Sequence, residues 1–286
     1  MKQSLSNQIS DYLADRTAKL SPATIFQYSN VLGGQFLPWA TGAGITEAQQ
    51  VDAKAMDAFV AHLKARGHTG RANKPLSPTT LRTYVRAIRS FLNDAEIPKG
   101  RFVQPSKPRR IVRDVLTENE IKRMENVCSQ ERDRLIIRVL ADTGVRSGEL
   151  LSMRWDGMKD RDRTIGVFGK TGGRNVVVPE RLYRRLKTFA EQNQTERIFT
   201  SKTGTDLTPN GINQFIHNTA IKAKIGRRVH SHLFRHSFIT QAIIDGIDLV
   251  SIQRQVGHES LAQISQTYAS IQPADSYAAF NKAFNR

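Results

Sequence analysis

Four short segments in the second half of this 286-residue chain carry residue types that handle phosphate. The first is Thr143-Gly144-Val145-Arg146-Ser147-Gly148-Glu149-Leu150, an arginine in a glycine-bracketed turn between two helical stretches. A guanidinium there can grip two phosphate oxygens through parallel N–H donors. Arg146 and Glu149 also have the spacing of a plain surface ion pair. The second is Lys170, opening a Lys-Thr-Gly-Gly turn, where a long amine can reach a groove and protonate a leaving oxygen or simply sit in solvent. The third is His230-Ser231-His232-Leu233-Phe234-Arg235-His236. Helical spacing puts His232, Arg235 and His236 on one face, with Leu233 and Phe234 toward a core. Cations crowded in this way call for an anion, and the histidines alone leave a zinc site conceivable. The fourth runs from Val256-Gly257-His258-Glu259-Ser260 to Gln266-Thr267-Tyr268-Ala269, and a lone His258 or Tyr268 reads equally well as a packed residue.

Together these segments supply what cutting DNA without hydrolysis requires. A nucleophile must take the phosphorus, cations must hold the pentavalent transition state, and an acid must protonate the departing sugar oxygen.

Helices are the elements that must position them. Leu5, Ile9, Tyr12 and Leu13 repeat at helical spacing. Ser21-Pro22 and Ser77-Pro78 each join an N-cap to a first-turn proline. The apolar stripes Ile25, Tyr28, Val31, Leu32 and Leu81, Val85, Ile88, Leu92 follow them. The latter helix also carries Arg82, Arg86 and Arg89 along one edge, suited to phosphates. Residues 99–113, with six basic residues, two prolines and no acid, read as a linker whose Arg101, Lys107, Arg109 and Arg110 can follow a DNA backbone. Thr117 and Glu120 form a capping box, Gly144 ends the helix through Leu135, Ile136, Val139 and Leu140, and Ile165–Phe168 with Val176–Val178 predict a hairpin carrying Arg174. Thr208-Pro209 and Ser231 start two more helices, and Asp245-Gly246 ends the second.

The expected fold is therefore mainly α with a small β-sheet. It comprises a helical domain over 1–98, the linker 99–113 and an α+β domain over 114–286. Lys and Arg exceed Asp and Glu by 17, which points to a polyanionic partner, nucleic acid first. No apolar run is long enough to span a membrane, and Met1 to Leu20 has no signal-peptide pattern, so a cytoplasmic protein is expected. The single Cys128 excludes an internal disulfide and reads as a small helix residue.

Taken in order, T-G-x-R-x-x-E-L, G-K before a hairpin turn, H-x-x-R-H, G-H and a late tyrosine resemble the tyrosine site-specific recombinase, or phage integrase, family. The resemblance covers the second domain. It implies that Arg146 and Arg235 clamp the scissile phosphate, Lys170 is the general acid, His232 assists proton transfer, His258 hydrogen-bonds the phosphate and Tyr268 is the nucleophile. Glu149 and His236 become supports for the arginines. Tyr268 stands ten positions after His258, one more than is commonest in the family. The competing Tyr277 lies in a terminal stripe with Phe280 and Phe284.

The resemblance further implies a core-binding domain at the amino terminus and a compact architecture of the Xer-like or transposon-borne type, since that pattern starts almost at Met1. Its partner is double-stranded DNA with a specific site. The free monomer assembles into a tetramer there, with a Holliday junction intermediate, an exchange helix near 274–286 and room for accessory proteins. Metal and cofactor are not expected, because the phosphotyrosyl bond retains the energy for rejoining. The alternatives are a type IB topoisomerase and a DNA-binding regulator without catalysis.

Overall fold

The computed structural model describes residues 3–67, 75–97, 114–169, 172–193, 195–201, 206–257, 261 and 264. The chain divides into two compact units, Met1–Ile111 and Val112–Arg286, each with its own core.

The first unit is helical among its described residues: α1 (Leu5–Thr17), α2 (Pro22–Val31), α3 (Leu37–Gly42), α4 (Ala53–Arg66) and α5 (Pro78–Asp94). Ser21 and Ser77 cap α2 and α5 by accepting from the N–H groups of Thr24 and Thr80. A single π turn, Leu32–Phe36, joins α2 to α3. Its cause is Pro38, which has no N–H to continue the ladder, so the bonding slips and Leu37 N–H reaches Leu32 O. Leu5, Ile9, Phe36, Phe59, Ile88 and Phe91 are buried, and Phe36 and Phe59 meet edge to face at 5.3 Å. Tyr12 Oη donates to Ser90 Oγ at 2.8 Å, tying α1 to α5.

The second unit holds α6 (Glu118–Asn126), α7 (Glu131–Thr143), α8 (Ser147–Leu151), β1 (Met158–Lys159), β2 (Thr164–Gly169), β3 (Gly172–Val177), α9 (Glu180–Asn193), α10 (Pro209–Lys222), α11 (Ser231–Ile244) and α12 (Leu249–Val256). Leu135, Ile136, Val139 and Leu140 bury α7 among α6, α9 and α11. The antiparallel sheet runs β1-β2-β3, with Ile165 opposite Val176 and Gly169 opposite Gly172. Ile165, Val167 and Val176 turn into the core, while Phe168 near the hairpin end is 63% exposed. The fold is mainly α with one small sheet. Among the described residues no helix is long and apolar enough to cross a membrane.

Three local expectations need correction. A third strand, β1, accompanies the hairpin; at two residues it has no alternation to read. The cap of α11 is His230, and Ser231 is the first helical residue, its N–H and Oγ both bonded to Asn213 Oδ1. Cys128 lies just beyond α6, buried, with Sγ donating to Met124 O.

Thr117 and Glu120 form the capping box of α6, and Arg227 lays both Nη groups on the Glu120 carboxylate. Hydrogen bonds from Arg227, outweighing burial, hold the Glu120 pKa at about 2 against an ordinary 4.5. A depressed carboxylate contributes its full stability above the unfolded-state value and loses it as pH falls toward the folded-state value. Glu120→Gln is therefore expected to flatten the decline of melting temperature between pH 4.5 and 2, read by circular dichroism.

Candidate active site

The second unit gathers three arginines around one buried carboxylate. The construction begins where α7 stops: Gly144 takes φ +64, which ends the helix, and its carbonyl turns toward α11. A side chain is excluded twice over, by that φ and by Phe238, whose ring would lie 2.5 Å from an added Cβ. Val145 is fully buried, and Arg146 becomes the N-cap of α8.

Glu149, one turn later, is 1% exposed. It accepts from Arg146 N–H at 2.8 Å and Arg146 Nη1 at 2.9 Å. Arg174, from β3, brings Nη1 and Nη2 to the same carboxylate at 2.5 and 3.0 Å. Burial opposes ionisation of Glu149, yet the bonds from Arg174 and Arg146 outweigh it and its pKa falls below the usual value. The Arg146–Glu149 ion pair, one of the two readings the sequence leaves open, forms here, and Glu149 also fixes the Arg146 backbone while the Arg146 side chain stays 35% exposed.

Arg235 enters from α11 and is buried along with Leu233 and Phe234, rather than lying on an open basic face. Its Nη1 donates to Gly144 O at 2.8 Å and its Nη2 to Val256 O at 2.5 Å. Burial, then the neighbouring Arg146 and Arg174, pulls its pKa down to about 9, which still leaves a full cation at neutral pH. Arg146 Nη2 donates to Gly257 O at 3.3 Å, and Arg174 Nε to Gln255 O at 3.2 Å. Three guanidiniums against one carboxylate leave the pocket in positive excess, the setting for an oxyanion.

His232 is exposed on α11, its ring 6.4 Å from that of His230. His236 is half-buried, with Nδ1 3.5 Å from Thr240 Oγ1. Lys170, His258 and Tyr268 lie outside the described residues, as do Arg101, Lys107, Arg109, Arg110 and the 274–286 tail. The described residues next to Lys170 and His258 reach the pocket: a Cβ on Gly169 would lie 3.1 Å from Glu149, and Gly257 receives Arg146. In the first unit Arg82, Arg86 and Arg89 line a groove of about 640 Å³ on α5 with Thr79, Thr83 and Asn93. Arg174, expected against DNA, is turned inward, its side chain 16% exposed. The backbone acceptors of residues 255–257 could not have been found by any search for reactive side chains.

This arginine pocket, in a mainly helical domain with a small sheet, has the charge to receive an oxyanion, and comparison identifies the family of the chain. The phage integrase family matches residues 114–274, and the chain belongs to that family and is a tyrosine recombinase. It is 25% identical over 279 residues to tyrosine recombinase XerC of Pseudomonas fluorescens (strain Pf0-1), covering 94% of this chain and 92% of the relative. It is 27% identical over 262 residues to tyrosine recombinase XerA of Thermococcus kodakarensis, covering 88% and 86%. Among solved structures, the Tn1549 transposon integrase in complex with a circular intermediate DNA shares the fold. The TM-score is 0.76 at 13% identity, over 99% of this chain and 100% of that one.

Proposed function

We propose that this chain cuts and rejoins DNA at a specific site through a 3′-phosphotyrosyl intermediate on Tyr268. The observation that carries the reading is the pairing of Arg146 and Arg235 beside a buried Glu149, a cationic pocket with one member still open to solvent. In that reading the two guanidiniums hold the non-bridging oxygens of the scissile phosphate as negative charge builds. Lys170 protonates the 5′ oxygen as it leaves, His232 assists transfer of the phenol proton, and His258 hydrogen-bonds the phosphate. Glu149 keeps Arg146 in place, and Glu149 and His236 act as supports for the arginines. The phosphodiester energy is retained in the phosphotyrosine, so resealing by the released 5′ hydroxyl calls for neither ATP nor a metal.

The partner is double-stranded DNA, on which the protein works as a tetramer through a Holliday junction, in the cytoplasm on the nucleoid. The role is that of a mobile element or chromosome-dimer enzyme, and residues 274–286 dock between subunits. Its domain plan is a core-binding domain over 1–98, the basic linker 99–113 and the catalytic domain 114–286.

The test uses a duplex selected from a random-sequence pool by repeated binding and nicked beside the cleavage point, so that the released fragment diffuses away. A covalent protein–DNA adduct should accumulate and map to Tyr268 by mass spectrometry. Two labelled duplexes should then exchange strands, whereas relaxation of supercoils without exchange would make the protein a topoisomerase. Absence of any adduct would make it a binding protein only.

The α5 groove has its own prediction. If Arg82, Arg86 and Arg89 bind phosphates, replacing all three with alanine should flatten the plot of log affinity against log salt by about 0.9 for each phosphate no longer neutralised. Fluorescence anisotropy over about a sixfold range, roughly 50 to 300 mM salt, reads that slope, and an unchanged slope removes this helix from the interface.

A further inference from the structure

The last turn of α12 offers three successive carbonyls to three different arginines: Gln255 O to Arg174, Val256 O to Arg235 and Gly257 O to Arg146. These arginines come from β3, α11 and the turn between α7 and α8, so this helix end is their common reference point. Unsatisfied carbonyls at a helix C-terminus carry partial negative charge, which suits a cluster of cations. Gly257 takes φ +62, and a Cβ there would meet the Arg174 guanidinium at 2.9 Å.

What fixes this helix end is the side chain of Gln255. Its Oε1 accepts from Val177 N–H at 3.0 Å, and its Nε2 donates to Val177 O at 3.0 Å and to Thr143 O at 3.3 Å. Val177 belongs to β3, at the edge of the three-stranded sheet, so its outward N–H and C=O have no strand to pair with. The primary amide supplies donor and acceptor together and completes that edge as another strand would. Its third bond holds the last residue of α7, immediately before Gly144, whose carbonyl takes Arg235.

We propose that Gln255 is a positioning residue for strand cleavage, the clip that sets the end of α12 against β3 and α7 and so registers Arg146 and Arg235 on one phosphate, with Arg174 held behind them on Glu149. The proposal rests on the reading of Arg146 and Arg235 as the phosphate clamp. Few side chains can replace it. Glutamate retains the acceptor but loses both donor bonds, leucine loses all three, and asparagine is one methylene short. A loosened clip leaves the guanidiniums charged and bound somewhere, but misplaced by more than phosphoryl transfer tolerates.

The experiment uses full-length Gln255→Leu and Gln255→Glu proteins on the selected, nicked duplex, with Arg146→Ala as control. At saturating DNA, single-turnover cleavage should slow about 10- to 100-fold for Gln255→Leu and less for Gln255→Glu. DNA affinity should stay within about threefold, since the groove and the linker are untouched. Each variant is assayed below its own melting temperature, so reduced stability is not read as reduced rate.

The deciding comparison replaces the scissile phosphate with a neutral methylphosphonate. A defect transmitted through the arginine clamp shrinks when there is no anionic oxygen to hold, whereas a general structural defect persists. Cleavage within twofold of the parent for both variants, or an equal loss on phosphate and methylphosphonate, overturns the role of Gln255. If Arg146→Ala cleaves at the parental rate, the clamp reading itself fails, whatever Gln255 does.

Discussion

A Tyr268→Phe protein is expected to form no covalent complex with DNA while binding the same duplex within about twofold of the parent. The substitution removes one hydroxyl from a residue chosen for its nucleophilic oxygen and leaves the basic surfaces that supply electrostatic affinity. No other group takes its place easily, because a phenol of ordinary pKa near 10 needs nearby cations to become a phenolate at neutral pH. The measurement is a denaturing gel of the nicked duplex after prolonged incubation. Persistent adducts would transfer the role to another residue, with Tyr277 the first to test.

Arg235→Lys should slow cleavage at saturating DNA by about 10²–10³, the range for losing one preorganised donor to a developing oxyanion. The charge survives, but the planar fork does not. Two of the guanidinium's donors are committed to Gly144 O and Val256 O, an arrangement that aims the rest of the group, and an ammonium cannot span both carbonyls and still present a donor to phosphate. Because the group is buried, a lysine there also loses charge more readily, so its residual activity should decline as pH rises through the lowered amine pKa. A rate within threefold of the parent across pH 6 to 9 (chosen to bracket neutrality) would remove Arg235 from the clamp.

Much of the scaffold was legible because the signals were local. Ser21, Ser77, Thr117 and Thr208 each start a helix through a bond to a backbone N–H three residues on. Gly144 and Gly246 adopt the positive φ that ends one. What escaped depended on distant partners. Ser231 looks like a cap, but Asn213, 18 residues earlier, engages both its N–H and its hydroxyl. Arg174 looks like a surface cation on a hairpin until Glu149 is found behind it. Gln255 carries no motif at all, and its meaning comes from the β3 edge and the end of α7. The family pattern named side chains in order, whereas Arg146 and Arg235 are held in part or wholly by backbone oxygens, which no residue type announces.

The buried carboxylate has one more consequence, for descendants of such a chain. A lineage that stopped cutting DNA would have no catalytic use for its phenol. It would not be free to lose Arg174 or the turn at Arg146, since either loss strands the charge of Glu149 where water cannot reach it. The basic residues would outlast the activity they once served, so a retired relative is recognised by its missing tyrosine and not by its arginines.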